Sequence, residues 1–332
     1  MQLRVACSLR YIQADEDIYD YKFGGFHFIK GSSDYALDSN IFTEHLLRQA
    51  GEIPLREFCN YPFIYGIFDL EEGEDLFRFI HSCHSRLHQF INCLWFVKNC
   101  SVNVGYCYTF SPDNKHVLCN TKQASFSNYN GGTEEVQIFK KDLEYAENIY
   151  NKMLGMASDD SKIELPKIEY DFTKPRPVTS DGPYHYKDYN KNNRIERAFS
   201  FLTMARTNSF LPLKIALTMS LLECLFTTDR QEVTHKVCER VAVYVGGSFE
   251  EKIANYKTIK EAYDIRSGFF HGQDIDKKKD NRINLQKSSK NVDDLLRLVM
   301  NKVILEDSKV FNNSDENRKN YFFKMIFNSS AS

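Results

Sequence analysis

The stretch TIKEAYDIRSGFFHG, residues 258–272, decides how the second half of the chain folds. Thr258 and Glu261 have the spacing of a capping box, which predicts the start of a helix. Apolar residues then recur at helical spacing and place one arginine on the same stripe: Ile259, Ala262, Tyr263, Arg266 and Phe270. Gly272 follows the last of them and favours the helix end. We therefore predict a helix whose apolar stripe carries a fixed positive charge.

Three residues of this helix stand out chemically. A guanidinium on an apolar stripe needs an anionic partner, and Glu223 and Glu232 are the two candidates for Arg266. Gly268 costs a helix about 1 kcal/mol relative to Ala, so it is expected to mark a kink or a close backbone approach. His271 is expected at the exposed helix end, where an imidazole can exchange protons near neutral pH.

The rest of the 332-residue chain predicts an α+β N-terminal domain followed by an all-α helical bundle. Four of the eight prolines lie within residues 157–190, which we interpret as a linker between domains at 1–156 and 191–332. Before the linker, alternating residues near 3–7, 19–23, 63–68 and 101–110 predict strands, and residues 74–97 and 142–154 predict helices. Residues 163–172 alternate well enough for an edge strand. After the linker, helices are expected near 195–202, 213–226, 233–244, 258–271 and 292–305.

Charge is distributed unevenly along the chain. Residues 1–150 carry 13 basic and 20 acidic side chains, whereas residues 190–290 carry 18 basic and 12 acidic ones. The front half is therefore a poor candidate for binding a polyanion, and the back half permits phosphate contacts. A solvated helix surface explains the same excess without any ligand.

The nine cysteines form no Cys-x-x-Cys pair. Because no export signal or long apolar run is present, we interpret them as reduced, mostly buried thiols of a cytoplasmic protein that does not enter a membrane. His81, His84 and His88 share a helical face, but no second ligand pair of standard spacing follows them. We therefore predict no metal site and no cofactor.

The segment Arg266-Ser-Gly-Phe-Phe-His271-Gly272 resembles the Arg-x4-His motif of the Apea-like HEPN domains in the HEPN superfamily. The resemblance extends upstream, since residues 221–226 resemble that family's Glu-bearing second helix and residues 232–242 its third. It covers roughly residues 191–305. It implies a small helical domain that often forms a homodimer, with two motif copies in one cleft, and in many members a metal-independent endoribonuclease.

Under this resemblance, the motif residues acquire roles in RNA cleavage, in which the 2′-hydroxyl is the nucleophile. His271 would transfer the proton and Arg266 would hold the scissile phosphate. Ser267 and Tyr263 would contact the substrate, and Glu223 and Glu232 would support the site. Lys277, Lys278 and Lys279 could follow the RNA backbone, although a solvated loop is the better explanation of a run that nearby aspartates dilute. Glu232 and His235 could flank the cleft or form an ordinary surface pair.

The family's frequent setting is a toxin or antiphage abortive-infection system, with a regulatory or antitoxin protein as a further partner. Arg266 and His271 are about 140° apart on an ideal helix, so they converge only if the helix distorts or two chains combine. The alternative is a non-catalytic HEPN domain that binds RNA, nucleotides or another protein, with Arg266 as a structural ion-pair partner.

Overall fold

An antiparallel sheet organises the first part of the chain. The computed structural model describes residues 1–31, 41–42, 44–71, 76–113, 117–120, 125–156, 192–275 and 280–328. The sheet has the strand order β3-β4-β5-β1-β6-β7, and β2 and β8 form a separate parallel pair. The strands are β1 (Gln2–Arg10), β2 (Ile12–Ala14), β3 (Lys22–Phe23), β4 (Phe26–Ile29), β5 (Phe63–Asp69), β6 (Asn103–Phe110), β7 (Val117–Asn120) and β8 (Val136–Ile138).

Helices cover both faces of this sheet because its central strand is apolar on both sides. Val5 and Cys7 of β1 face one cluster of buried residues, and Ala6 faces another. The helices of this part are α1 (Glu44–Ala50), α2 (Glu52–Asn60), α3 (Leu76–Asn92), α4 (Leu94–Val97) and α5 (Lys140–Met156). Phe58 of α2 packs in the Ala6 cluster, whereas Phe90 of α3 packs in the Val5 cluster.

The second part of the described chain is entirely helical, which confirms the predicted sequence of an α+β region and an all-α region. Its helices are α6 (Arg194–Arg206), α7 (Leu211–Phe226), α8 (Val233–Val245), α9 (Phe249–Phe270), α10 (Arg282–Leu305), α11 (Ser308–Phe311) and α12 (Asp315–Asn328). Pro212 occupies the first turn of α7, and Gly246 ends α8 with a φ of +85°. Both positions suit these residues, since proline tolerates a first turn and glycine a positive φ.

Several predicted boundaries are wrong. The motif helix begins at Phe249 and not at Thr258, because Ser248 and Glu251 form the capping box that starts it. Tyr19 lies in a short 3-10 helix, Glu16–Asp20, and not in a strand. α10 begins ten residues before the predicted Val292. The predicted linker and the predicted edge strand at 163–172 lie outside the described residues.

The two parts share one continuous hydrophobic core, which runs from the sheet into α7, α9 and α10. Buried polar contacts accompany it. Arg206 of α6 is fully buried and donates to the carbonyl oxygens of Asn92 and Cys100. The indole of Trp95 donates to Asp293 of α10 at 3.0 Å. Buried hydrogen bonds of this kind fix the orientation of the sheet region against the helices.

Two predictions made from composition can be compared with this structure. Seven of the nine cysteines are buried and none forms a disulfide, which confirms the expected buried thiols. Burial raises the pKa of the Cys83 thiol to about 11 and that of Cys93 to about 12. Among the described residues, no helix has the length and hydrophobicity needed to cross a membrane.

Candidate functional site

The candidate site lies on the last turns of α9, which carry the Arg-x4-His motif. The helix is regular to Phe270, and it packs against α7 and α8 through its buried face. Ile259, Ala262 and Tyr263 are buried, as the predicted stripe requires. The stripe changes character at its end, because the Phe270 side chain is 50% exposed. The motif therefore begins in the core and ends at the surface.

Arg266 is half-buried and contacts two side chains, Glu223 and Phe270. Its Nη2 lies 3.2 Å from Oε2 of Glu223, and the two side chains are 29% and 21% exposed. The guanidinium carbon lies 5.3 Å from the centre of the Phe270 ring, a cation–π distance. Its Nε is buried and has no acceptor among the described residues. These contacts fix the guanidinium in place but leave part of its donor set unused.

Glu223, and not Glu232, is therefore the partner of Arg266. Glu223 lies near the end of α7, which packs directly on α9. Glu232 is exposed at the start of α8, where its φ is +50°. Among the described residues, Glu232 makes no contact with Arg266, so the predicted support of Arg266 by Glu232 is not seen.

Tyr263 lies one turn before Arg266 and is 4% exposed. Its hydroxyl is buried beside Glu223 without an aligned hydrogen bond among the described residues. Burial, and then the nearby Glu223 carboxylate, raise the pKa of this hydroxyl above its usual range. A buried hydroxyl cannot reach a phosphate at the surface, so the geometry of this chain does not favour the substrate contact expected of Tyr263.

His271 is exposed at the C-cap of α9, as predicted. The following backbone forms a Schellman motif: the Gly272 N–H donates to the Phe269 carbonyl at 3.3 Å, and the Gln273 N–H to the Gly268 carbonyl at 2.9 Å. Gly272 has a φ of +63°, which explains the glycine at this position. The imidazole thus projects from a well-defined helix end.

Gly268 does not kink the helix, because α9 continues through it to Phe270. The chain that leaves the Schellman motif returns over this glycine. A Cβ at position 268 would lie 3.5 Å from Ile275 and 3.7 Å from the Asp274 carbonyl oxygen, which is ordinary van der Waals contact. The predicted close approach is therefore present but leaves room for a methyl group.

Arg266 and His271 do not meet within one chain. In a regular helix their side chains point about 140° apart, and no hydrogen bond or ring contact joins them among the described residues. Ser267 lies between them on the helix surface and is partly exposed. A shared site for all three needs either a distortion of the helix or a second chain.

Aromatic residues beside the motif were not among the predicted site residues. Phe210, at the start of α7, has its ring centre 5.8 Å from that of Phe269, which in turn lies 5.4 Å from Phe270. Phe210 is 58% exposed. The signal in the sequence is the pair of consecutive phenylalanines inside the motif, since adjacent helical residues cannot both face the same core.

The other predicted candidates are the three lysines after the motif and the histidines of α3. Lys277, Lys278 and Lys279 lie outside the described residues. His84 and His88 are buried with their Nε2 atoms 3.0 Å apart, whereas His81 is exposed. A hydrogen bond between two imidazoles needs no metal, and the described residues contain no group of three metal-ligating side chains.

No protein-family model, curated protein or solved structure matches this chain. The resemblance to the HEPN superfamily therefore stays a prediction.

Proposed function

We propose that the chain is a metal-independent endoribonuclease of the HEPN type, with Arg266 and His271 as its catalytic residues. The observation that carries the proposal is the contrast between the two. Arg266 is held by Glu223 and Phe270 and is 29% exposed, and His271 is exposed at a helix end with a Schellman motif. A fixed cation and an exposed proton-transfer group, five residues apart, are the two elements that RNA cleavage requires of a protein.

The reaction uses the nucleophile of the substrate itself. The 2′-oxygen attacks the adjacent phosphorus, the bond from phosphorus to the 5′-oxygen breaks, and a 2′,3′-cyclic phosphate and a 5′-hydroxyl remain. His271 accepts the proton of the 2′-hydroxyl or donates one to the leaving 5′-oxygen. Arg266 neutralises the charge that develops on the phosphate oxygens, and Ser267 donates a hydrogen bond to one of them.

A homodimer is part of this proposal. Because the two motif side chains diverge on one helix, Arg266 of one copy and His271 of another would complete a cleft. The exposed ring of Phe270, next to Arg266, and that of Phe210 beyond it give the motif an apolar border. Exposed aromatic residues of this kind are enriched in protein interfaces.

The biological setting follows from the resemblance alone. We propose a cytoplasmic toxin or antiphage effector whose activity is restrained by its front domain or by an antitoxin protein. Lys277, Lys278 and Lys279 would then follow the RNA backbone next to the motif.

The test is cleavage of a synthetic oligoribonucleotide by the purified full-length protein in EDTA. We expect products with a cyclic phosphate and a 5′-hydroxyl, and no cleavage of the same sequence as DNA, which lacks the nucleophile. His271→Ala and Arg266→Ala should each lower the rate by a factor on the order of a hundred to ten thousand. His81→Ala, a change of an exposed histidine in the front half, is the matched control and should cut normally.

The ion pair between Arg266 and Glu223 favours the non-catalytic alternative, because it gives Arg266 a structural role that needs no substrate. The same assay separates the two functions. A folded His271→Ala protein that cuts RNA at the native rate would reject the catalytic assignment. Binding of RNA without cleavage by the unmodified protein would leave a binding domain as the function.

A further inference from the structure

A polar cavity lies on the same helix as the motif, about three to four turns before the end of that helix. Its volume is about 520 Å³, and it opens between the start of α8 and the middle of α9. The side chains that matter chemically are Arg230, Glu232, His235, Tyr256 and Lys260. None of them contacts the Arg266–Glu223 pair among the described residues, so the cavity needs an explanation of its own.

One wall of the cavity is aromatic. The Nδ1 atom of His235 lies 3.3 Å from the hydroxyl of Tyr256, and the two rings are 6.2 Å apart at 69° to one another. Each ring therefore restrains the other, and both belong to the surface of the cavity. Aromatic rings at a surface of this kind are the usual platforms for unstacked nucleobases, because every base offers a π-face.

Two positively charged side chains, Arg230 and Lys260, also line the cavity. Arg230 is exposed and has no ion pair among the described residues. Lys260 has only a long contact, 4.0 Å, with Asp264, and both side chains are about half exposed. Glu232 is the one carboxylate that lines the described cavity, so the cations outnumber it. The cavity can hold one phosphate without a competing buried charge.

The position of the cavity on α9 connects it with the motif. At 100° per residue, Tyr256, Lys260, Ser267 and His271 fall within an arc of about 60°, and each is at least partly exposed. Asp264 lies at the edge of this arc. Lys260 and His271 are separated by a rise of about 16 Å, a distance that an extended strand of a few nucleotides covers. A strand positioned at His271 would therefore pass over Lys260.

We propose that this cavity is a nucleotide-binding subsite for the RNA strand that the motif cleaves. A base stacks on the Tyr256 ring with His235 at its edge, and the phosphate next to it is held by Lys260 and Arg230. The inference rests on the proposed endoribonuclease function and adds the direction in which the substrate leaves the motif. It also implies that the protein acts on single-stranded RNA, since a base can stack here only when it is unpaired.

The experiment measures RNA binding and cleavage by the full-length protein. The probe is a fluorescent 2′-O-methyl dodecamer, which cannot be cut by 2′-hydroxyl attack, and the matching unmodified RNA gives the rate. Tyr256→Ala should weaken binding about fivefold or more, the effect of losing one stacked base. Lys260→Ala should weaken it and reduce the salt slope of log K by about 0.7, the change expected for one phosphate contact. Tyr256→Phe keeps the ring but loses the hydroxyl next to His235, so it should lose less affinity than Tyr256→Ala.

Lys257→Ala is the matched control, because Lys257 is an exposed lysine of α9 that points about 100° away from Tyr256. The subsite predicts that Lys260→Ala and Tyr256→Ala raise KM with little change in kcat, whereas Lys257→Ala changes neither. If all three variants bind and cut like the unmodified protein, the subsite is rejected and the endoribonuclease stands. If the unmodified protein neither binds nor cuts RNA, the proposed function fails first. Free AMP and UMP are titrated in the same way. If Lys260→Ala weakens binding of a mononucleotide but leaves the affinity for RNA unchanged, the cavity binds free nucleotides and the RNA subsite is rejected.

Discussion

Removing the carboxylate of Glu223 tests the geometry of the motif most directly. A fully buried ion pair that loses one partner costs about 3–5 kcal/mol, whereas an exposed pair contributes about 0.2–1 kcal/mol. Arg266 and Glu223 lie between these limits, with 29% and 21% of their side chains exposed. We therefore expect Glu223→Ala to lower the free energy of unfolding by about 1–2 kcal/mol. Glu223→Gln keeps a hydrogen-bond acceptor and should cost less.

The pairwise part of this energy is measured by a double-mutant cycle. Glu223→Ala, Arg266→Ala and the double variant are compared with the unmodified protein by chemical denaturation at one protein concentration. Each single change leaves an unmatched charge, so the double variant should be less destabilised than the sum of the two by about 1 kcal/mol. His271→Ala is the control, since an exposed residue at a helix end should change stability by less than about 0.5 kcal/mol.

The same variants separate positioning from stability. If Glu223 orients Arg266, Glu223→Gln should slow RNA cleavage while the protein stays folded. Arg266→Lys should also cleave RNA slowly, because an ammonium keeps the charge but lacks the planar fork. Additive free energies, within about 0.3–0.5 kcal/mol, would refute the pairing of the two side chains. Unaltered cleavage by Glu223→Ala would show that Arg266 needs no such partner.

Three further outcomes follow from particular contacts. Gly268→Ala should stabilise the protein by up to about 1 kcal/mol, because a methyl group fits there, whereas Gly272→Ala at a φ of +63° should destabilise it; denaturation curves of the two variants check the contrast. Lys214 is buried, which lowers its pKa to about 8, so the unfolded chain binds the extra proton between pH 8 and its usual 10.5. The stability of the unmodified protein relative to Lys214→Met should therefore rise by about 3 kcal/mol across that interval, and parallel pH profiles would contradict the assignment. Limited proteolysis should cut within residues 157–190, and the two fragments should stay together on gel filtration because they share one core; fragments that elute apart would contradict the shared core.

Much of the fold could be predicted because short-range patterns dominate it. The run at residues 63–68 and the alternation at 101–110 correspond to β5 and β6, and Pro212 and Gly246 mark helix ends through their own backbone preferences. These signals act over a few residues and need no knowledge of distant partners. The order of sheet strands has no such signal, since β1 pairs with β5 and β6, which lie far along the chain.

The start of α9 was missed because the sequence contains two capping boxes in the same helix. Ser248 and Glu251 have the same spacing as Thr258 and Glu261, and they directly follow two glycines. The first turns of α9 are largely exposed and lack an apolar stripe, so hydrophobic periodicity favoured the later start. The glycine pair at 246–247 was the better guide, because a helix that ends there leaves Ser248 as the next N-cap.

Several contacts of the candidate site could not be predicted from the sequence. The sequence required an anion for Arg266 but could not choose between Glu223 and Glu232, because the choice depends on which helix packs against α9. It could not give the burial of Tyr263 for the same reason. Lys214 is the one basic residue within Leu211–Phe226 and could be noticed from the sequence, yet its acceptors are Ser127 and Ala205, which no local pattern indicates.

Residues 126–132 of the front half contact the turn between α6 and α7, which lies next to the motif. The Ser127 hydroxyl lies within hydrogen-bond distance of two carbonyl oxygens at the turn between α6 and α7, at 2.9 and 2.7 Å. Gly131 approaches the same turn so closely that a Cβ there would lie 2.3 Å from the Ser209 carbonyl oxygen. Phe210 follows and packs on Phe269 inside the motif. The loop at 126–132 and the aromatic residues next to Arg266 and His271 therefore pack against the same turn, residues 207–210, whose position both must match.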